Sequence, residues 1–421
     1  MQENLNDISI LSRRNDKVGW VTRVVARSLF EKMRELKGGV FRVRWAGQTL
    51  LVGDHASKTI IDIEIHDESF FFALATRGSV GAGEAYMDGA WTTSDLVGAL
   101  KLVLRNYHIL ESMESGLASL SRPFLGAYHR VRKNTVSGSK KNISAHYDLS
   151  NEFFELMLDE TMMYSSGIYE RADSTLHEAS VAKLESICRK LDLQPDEHVL
   201  EIGTGWGGFA IHAAKNFGVR VTTTTISKEQ YRFAQKRVEE EGLEDRITLL
   251  LKDYRELEGT FDKLVSIEMI EAVGHHFYET FFEVCKNRLK PNGAALIQAI
   301  TIADHVFEAA RDSVDFIKRY IFPGSCIPSV TALCGAAASS SDLKLFHLED
   351  IGEDYARTLL DWRVRFFDRL EEVKALGFDD RFIKMWDFYL CYCAAGFQQR
   401  HISDVHLLMI RPESRLSPPG S

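Results

Sequence analysis

The sequence lacks the features that define several protein classes. It contains six cysteines, and no two of them have the C-x-x-C spacing typical of metal or redox motifs. This pattern disfavours a disulfide scaffold or a structural zinc site and fits a reducing compartment. No apolar run approaches the ~18 residues of a membrane span, and residues 1–16 lack the apolar segment of a signal peptide. We therefore expect a cytoplasmic protein that reaches lipid from the bilayer surface.

Positive charge is also in deficit. Lys and Arg total 51 against 60 Asp and Glu, which gives a net charge of −9. This balance disfavours general binding to nucleic-acid phosphates, so an anionic partner needs a local basic patch. Basic residues concentrate in residues 126–142, which contain Ser and Gly but no acid. We interpret this segment as a basic linker, either a solvated connection or a strip that meets anionic lipid headgroups.

The rest of the chain predicts at least two folded domains. Alternating apolar residues at 40–45 and 60–65 and a helical pattern at 96–104 predict a small N-terminal α+β domain over residues 1–125. After His198, apolar runs alternate with amphipathic stretches, which predicts a doubly wound parallel sheet with helices on both faces. The expected strands are 198–202, 218–226, 246–251, 262–267 and 293–300. The predicted division is 1–125, linker 126–142, main domain 143–410 and disordered tail 411–421.

A glycine-rich turn follows the first of these strands. Gly203, Gly205 and Gly207 form a G-x-G-x-G pattern, in which the missing side chains let the backbone approach a ligand closely. A dinucleotide site needs G-x-G-x-x-G and an acid at the end of the next strand, but residues 219–226 contain no acid. The turn therefore favours S-adenosylmethionine over a nicotinamide cofactor. A purely structural strand-to-helix turn is the alternative.

Several motifs together resemble the cyclopropane-fatty-acyl-phospholipid synthase family, relatives of the mycolic acid cyclopropane synthases. They are His146–Phe154 with Tyr164–Ser166, Glu201–Gly208, Thr225–Gln230, Glu271–Gly274, Tyr320–Gly324 and Tyr355–Thr358. Gly78–Trp91 resembles the additional N-terminal domain of the phospholipid-acting members. The resemblance implies a class I methyltransferase-like sheet beside the smaller domain. It also implies transfer of a methylene group from S-adenosylmethionine to the cis double bond of an unsaturated acyl chain.

The resemblance also assigns a cofactor site. It implies that Tyr164 and Ser165 cover the methionine part, that the glycine turn contacts its backbone, and that Thr225 and Gln230 lie near the ribose. After the third strand, Asp253 is a candidate acceptor for the adenine amino group, and Tyr254 is a candidate to stack on the adenine ring.

The family holds a bicarbonate ion as proton acceptor between a Glu, a Tyr, a His, a Cys position and an Ile backbone. By motif, the resemblance assigns Glu271, Tyr355 and Ile300 to three of these positions. The Cys position is Ser166 here and the His position is Gln298. A hydroxyl and an amide can still donate hydrogen bonds to an anion, but a Gln does not titrate. These departures question ring closure more than methyl transfer. Structural alternatives are a helix-start carboxylate for Glu271 and a core tyrosine for Tyr355.

The favoured interpretation is a cyclopropane-forming enzyme that acts on unsaturated acyl chains at a phospholipid membrane surface. Transfer that ends in a methyl or methylene branch is the second interpretation, and a non-catalytic lipid- or cofactor-binding relative is the third. We expect a homodimer, no nucleic-acid partner and no metal. Aromatic side chains can stabilise a cation or simply fill the core. The candidates are Phe316, Tyr320, Phe322, Trp362, Phe366 and Phe367.

Overall fold

The computed structural model describes residues 19–109 and 149–418. They divide into two compact units, and the second contains residues 149–312, 322–376 and 400–418. The predicted basic linker at 126–142 and the His146–Asp148 part of the first motif lie outside the described residues. Within the described residues, no helix combines the length and the apolar character that crossing a bilayer requires.

The first unit contains a four-stranded sheet with the order β2-β1-β3-β4. Its strands are β1 (Val40–Trp45), β2 (Gln48–Gly53), β3 (Ile60–Ile65) and β4 (Trp91–Thr93), and its first helices are α1 (Trp20–Met33), α2 (Ser69–Met87) and α3 (Leu96–Arg105). β1 and β3 are parallel, whereas the other two pairs are antiparallel. The strands predicted at 40–45 and 60–65 and the helix predicted at 96–104 are confirmed. Asp95 begins α3 by accepting a hydrogen bond from the backbone N–H of Gly98.

The second unit contains a seven-stranded sheet with the order β10-β11-β9-β8-β5-β6-β7. Its strands are β5 (His198–Ile202), β6 (Arg220–Thr225), β7 (Ile247–Leu251), β8 (Phe261–Ile267), β9 (Leu289–Ile302), β10 (Lys344–Asp350) and β11 (Ile402–Ile410). The five strands from β5 to β9 are parallel to one another, and β11 runs antiparallel between β9 and β10. The predicted doubly wound sheet and its five strands are therefore confirmed. β10 and β11 were not predicted.

Helices cover both faces of this sheet. They are α4 (Asn151–Met157), α5 (Leu176–Lys190), α6 (Gly208–Phe217), α7 (Lys228–Glu240), α8 (Ile270–Val273), α9 (Tyr278–Arg288), α10 (Asp304–Asp312), α11 (Val330–Ser340), α12 (Gly352–Asp368) and α13 (Leu370–Ala375). Successive strand residues alternate between two buried clusters, so Leu200 packs with Phe281 while Val199 packs with Phe209. The two clusters are the cores on the two faces of the sheet.

The first unit also takes two segments from late in the chain. Residues 313–321 and 377–399 pack with it, including the last helix, α14 (Asp380–Gln398), which contacts α2 and α3. The predicted division placed both segments in the main domain, because a contiguous division cannot show where an apolar helix face finds its partner. The predicted disordered tail also differs from the structure, since Arg411 forms an ion pair with Asp342 and donates to the carbonyl of Leu289.

Candidate active site

The glycine turn after β5 has a shape that only glycine adopts readily. Gly203, Gly205 and Gly207 have φ angles of 105°, 52° and 86°, in the region that L side chains rarely occupy. A Cβ atom on Gly205 would meet no heavy atom within 4 Å, so the turn faces open space there. α6 begins directly after the turn, as predicted. Backbone N–H groups and a helix start are thereby accessible to a ligand.

The other predicted cofactor residues follow the neighbouring strands. At the end of β6, the Thr225 hydroxyl donates to Gln230 Oε1 over 3.1 Å. After β7, the Asp253 carboxylate accepts from the Arg255 guanidinium at 2.6 Å. Tyr254 packs edge-on against a phenylalanine of α9, and among the described residues its buried hydroxyl has no hydrogen-bond partner. The carboxyl ends of β5, β6 and β7 therefore place these residues along one edge of the sheet, where ligands of such sheets bind.

Tyr164 and Ser165 lie in the loop that follows α4. The Tyr164 ring packs against Phe154 and Trp362 with centroid distances of 5.2 and 5.1 Å. The Ser165 hydroxyl accepts a 2.6 Å hydrogen bond from Lys183 Nζ, and Lys183 is fully buried in α5. Burial lowers the pKa of Lys183 to about 8. The negative charges of nearby carboxylates raise this pKa and so limit the decrease. Lys183 therefore remains a cation at neutral pH.

The carboxylate at the centre of the candidate site is Glu268, which the sequence did not single out. Glu268 directly follows β8, and its Oε1 accepts from the backbone N–H of Ser166 and from Gln298 Nε2, both at 2.8 Å. Its Oε2 accepts from the Tyr355 hydroxyl at 2.5 Å. Three of the residues predicted to hold a bicarbonate ion thus converge on a carboxylate of the chain itself.

Glu271 and Ile300, the other two predicted anion ligands, bind each other. Glu271 Oε1 accepts from the backbone N–H of Ile300 at 2.5 Å, and its buried Oε2 has no partner among the described residues. Burial and the charge of Glu268 raise the pKa of Glu271 to about 8. Glu271 therefore carries a proton at neutral pH.

Gln298 lies within β9 rather than at a strand end, because the strand continues to Ile302. Its Nε2 also donates to Asp404 at 2.7 Å, and its Oε1 faces His406 Nε2 at 3.2 Å. Lys190 donates to His406 Nδ1 at 2.6 Å, and burial holds the pKa of His406 well below its usual value. The neutral imidazole must then donate from Nε2, which fixes the orientation of the Gln298 amide. This network depends on β11, which explains why the sequence did not reveal it.

Ser166 contributes differently from the expectation. The sequence analysis assigned its hydroxyl to an anion, but this hydroxyl donates to the carbonyl of Gly167 at 2.9 Å. The backbone N–H of Ser166 contacts Glu268 instead. The residue type at this position is therefore not what positions the carboxylate.

The candidate aromatic residues belong to different surroundings. Trp362 is buried between Tyr164 and Tyr355, with the Tyr355 ring perpendicular to it at 6.1 Å. Phe322 lies 6.4 Å from Tyr164 and Phe366 lies 6.1 Å from Phe153, while Phe367 stacks edge-on against Phe366. Phe316 and Tyr320 belong to the first unit, where Phe316 packs on a phenylalanine of α14.

The chain is similar to characterised lipid-modifying enzymes. It is 36% identical over 358 residues to the tuberculostearic acid methyltransferase of Mycobacterium tuberculosis. The alignment covers 80% of this chain and 81% of that protein. It is 38% identical over 343 residues to the cyclopropane-fatty-acyl-phospholipid synthase of Escherichia coli. This alignment covers 81% of this chain and 85% of that protein.

Solved structures and a family model agree with these relatives. A cyclopropane synthase of Mycobacterium tuberculosis superimposes with a TM-score of 0.60 at 30% identity, over 65% of this chain and 98% of that one. A mycolic acid cyclopropane synthase in complex with SAH and CTAB gives the same TM-score at 29% identity over the same shares. The family model for mycolic acid cyclopropane synthetase matches residues 135–407. The resemblance predicted from the motifs is confirmed, and the chain belongs to the mycolic acid cyclopropane synthetase family.

Proposed function

We propose that this protein is an S-adenosylmethionine-dependent methyltransferase that converts the cis double bond of unsaturated phospholipid acyl chains to a cyclopropane ring. The observation that carries the proposal is the placement of an open glycine turn and the hydrogen-bonded Glu268 carboxylate at the carboxyl ends of strands in the same sheet. Family membership supports both the cofactor and the substrate class.

The residues along the sheet edge fit the proposed cofactor. A side chain at Gly205 would fill the open space in front of the turn, and the Tyr254 hydroxyl, which has no partner in residues 19–109 and 149–418, is a donor available to a ligand. When bound, S-adenosylmethionine supplies an electrophilic methyl group. Tyr164 and Ser165 cover the methionine part in this proposal, and Thr225 and Gln230 bind the ribose. Asp253 is the proposed acceptor for the adenine amino group, beyond its contact with Arg255.

Methyl addition to a double bond leaves a carbocation on the acyl chain. Trp362 and Tyr164 present aromatic faces, each of which stabilises a cation by ~0.5–2 kcal/mol. Trp362 also contacts Tyr355, so the aromatic group adjoins the pocket that contains Glu268. The same apolar packing excludes water, which would otherwise trap the cation as an alcohol.

A branched product is the second candidate, favoured by one observation. A relative that matches four-fifths of the chain is named a tuberculostearic acid methyltransferase. A cation that loses a proton without ring closure gives an alkene with a methyl or methylene branch. The two products have the same mass, so the assay must distinguish them by structure.

We further propose that the protein acts as a homodimer at the cytoplasmic face of a membrane. The chain carries a net charge of −9, and its basic residues concentrate in residues 126–142. Contact with anionic lipid is then electrostatic, and salt that shortens the Debye length below ~10 Å weakens it. Co-sedimentation with anionic vesicles at rising salt tests this. Salt-independent binding to neutral vesicles would contradict it.

The decisive experiment combines purified protein, methyl-labelled S-adenosylmethionine and vesicles of a monounsaturated phospholipid. We expect label in the acyl chain and upfield cyclopropane protons in the NMR spectrum of the extracted lipid. Vinylic protons on labelled lipid would identify the branched product instead. Vesicles of the saturated phospholipid are the matched control and should remain unlabelled. Absence of label from both kinds of vesicle would refute the proposal.

A further inference from the structure

The donors expected to hold a bicarbonate ion are already engaged. The Ser166 N–H, the Gln298 amide and the Tyr355 hydroxyl all donate to Glu268, and the Ile300 N–H donates to Glu271. An anion in the same place would have to displace the Glu268 carboxylate and would meet its negative charge. The residues present therefore do not fit a bound bicarbonate.

We propose that the Glu268 carboxylate is the proton acceptor of this enzyme and takes the place of an exogenous carbonate-type anion. This inference rests on the proposed function. In the step, a C–H bond of the transferred methyl group breaks. Its electron pair forms the second C–C bond of the ring, and the proton moves to a carboxylate oxygen of Glu268. No additional oxidant, reductant or co-reactant is required.

The placement of Glu268 suits this role. Its oxygens are held by three donors from three different segments, the loop after α4, β9 and α12. The residue as a whole is only partly buried, whereas Tyr355 and Gln298 around it are buried. A carboxylate held in one orientation by several donors is what proton abstraction from a bound chain needs.

The backbone at Glu268 provides independent support. Its φ angle is +47°, a left-handed conformation that non-glycine residues rarely adopt. Such conformations persist where the surrounding structure enforces them, and they concentrate at functional sites. The turn between β8 and α8 would form more easily with glycine at this position. The sequence therefore has a carboxylate at this position despite the unfavourable backbone conformation.

The neighbouring charges leave Glu268 as the acceptor of the cluster. Glu271 holds a proton at neutral pH, because its pKa is raised to about 8. Asp404 also has a raised pKa, owing to burial and to the charge of Glu268. Lys183 supplies a nearby positive charge that favours one ionised carboxylate. Burial raises the pKa of Glu268 as well, but the hydrogen bonds from Tyr355 and Ser166 and the charge of Lys183 oppose that rise. With three hydrogen-bond donors on it, Glu268 is the group best able to hold that charge.

The test uses two variants of the full-length protein in the labelled-vesicle assay, in buffer freed of carbon dioxide and with bicarbonate or formate added. The wild type should turn over equally in all three conditions. Glu268→Gly relieves the backbone strain and opens a cavity lined by the same donors. It should lose roughly 10²-fold in turnover, and added bicarbonate or formate should restore at least tenfold. Glu268→Gln fills the cavity with an amide and should be equally slow but not rescued.

Three results would overturn the inference. One is a wild-type enzyme that stops in bicarbonate-free buffer, the second is a Glu268→Gln variant with near-normal turnover, and the third is a Glu268→Gly variant that neither anion restores. Calorimetric binding of S-adenosylhomocysteine to each variant shows that the fold and the cofactor site persist. Failure of the proposed function is distinguishable, because the wild type would then label no lipid under any condition.

Discussion

Two carboxylates, one in each unit, accept a hydrogen bond from a tyrosine hydroxyl but differ in how their charge is balanced. In the first unit, Glu84 accepts from Tyr320 at 2.6 Å and forms ion pairs with Arg77 and Arg319 at 2.8 and 3.1 Å. In the second unit, Glu268 accepts from Tyr355 and from two neutral N–H donors. Within residues 19–109 and 149–418, no guanidinium pairs with it.

The difference separates a structural acid from a reactive one. Two guanidinium groups hold the carboxylate oxygens of Glu84 in place, so the group joins α2 to residues 313–321. Around Glu268, the acids Glu271 and Asp404 instead have raised pKa values. Strongly perturbed titratable groups crowded together are typical of catalytic sites.

Removal of the nearest cation should affect the two clusters unequally. Lys183→Met removes the buried cation beside Glu268, and we expect a loss of about 3 kcal/mol in unfolding free energy at pH 7, where Lys183 is charged. The loss should shrink toward pH 5, because burial raises the pKa of Glu268 and its carboxylate takes up a proton as the pH falls. Arg77→Met, the matched change beside Glu84, should cost under about 1 kcal/mol because the Arg77 side chain is 42% exposed. Urea denaturation measures both, and equal losses would contradict the contrast.

The second prediction concerns Glu271 and pH. Burial and the charge of Glu268 raise its pKa from the usual 4.5 to about 8 in the folded state, so its contribution to stability is complete below pH 4.5 and is lost as pH rises through 8. Glu271→Gln keeps the neutral form at every pH. The variant should match the wild type at pH 5 and be more stable by about 2 kcal/mol at pH 9. Urea midpoints across this range test it, and parallel pH curves would show that Glu271 is ionised in the wild type.

The sequence predicted the elements of the site better than their contacts. Alternation of apolar residues located β5 to β9, and motif order located Glu271, Gln298 and Tyr355. The roles of these residues depend on distances between strands, which periodicity does not contain. Glu268 stands three residues before Glu271, at the carboxyl end of a predicted strand. That position at a strand end is the feature of the sequence that indicates Glu268 as a site residue. The family motif does not include it.

The orientation of the Gln298 side chain could not be predicted from the sequence. It depends on His406, which lies directly opposite in β11, more than a hundred residues later. β11 was not predicted, so neither Asp404 nor His406 was connected to the site. The same limit explains the domain division, because α14 belongs to the first unit although most of the second unit precedes it in the sequence.

The third prediction concerns Gln298→His. The amide nitrogen donates to both Glu268 and Asp404, and the amide oxygen accepts from His406. A neutral imidazole offers one N–H, so one acid loses its donor. We expect turnover to fall about tenfold, equivalent to about 1.4 kcal/mol, with the same product and unchanged S-adenosylhomocysteine binding. A shift of product toward cyclopropane at full rate would instead mean that Gln298 controls ring closure.

The smallest effect is expected from Ser166→Cys. The hydroxyl of Ser166 donates to the carbonyl of Gly167, and only its backbone N–H contacts Glu268, so a change of side chain leaves that contact in place. Turnover should change less than about twofold, since loss of one neutral hydrogen bond costs only about 1 kcal/mol and does not alter the carboxylate. The adjacent Ser165→Ala is the matched comparison, because the Ser165 hydroxyl accepts from buried Lys183 and its loss leaves a charged donor unsatisfied. We expect that variant to be the more damaged of the two in both stability and turnover. The reverse order would mean that the Ser166 side chain, rather than its backbone, positions Glu268.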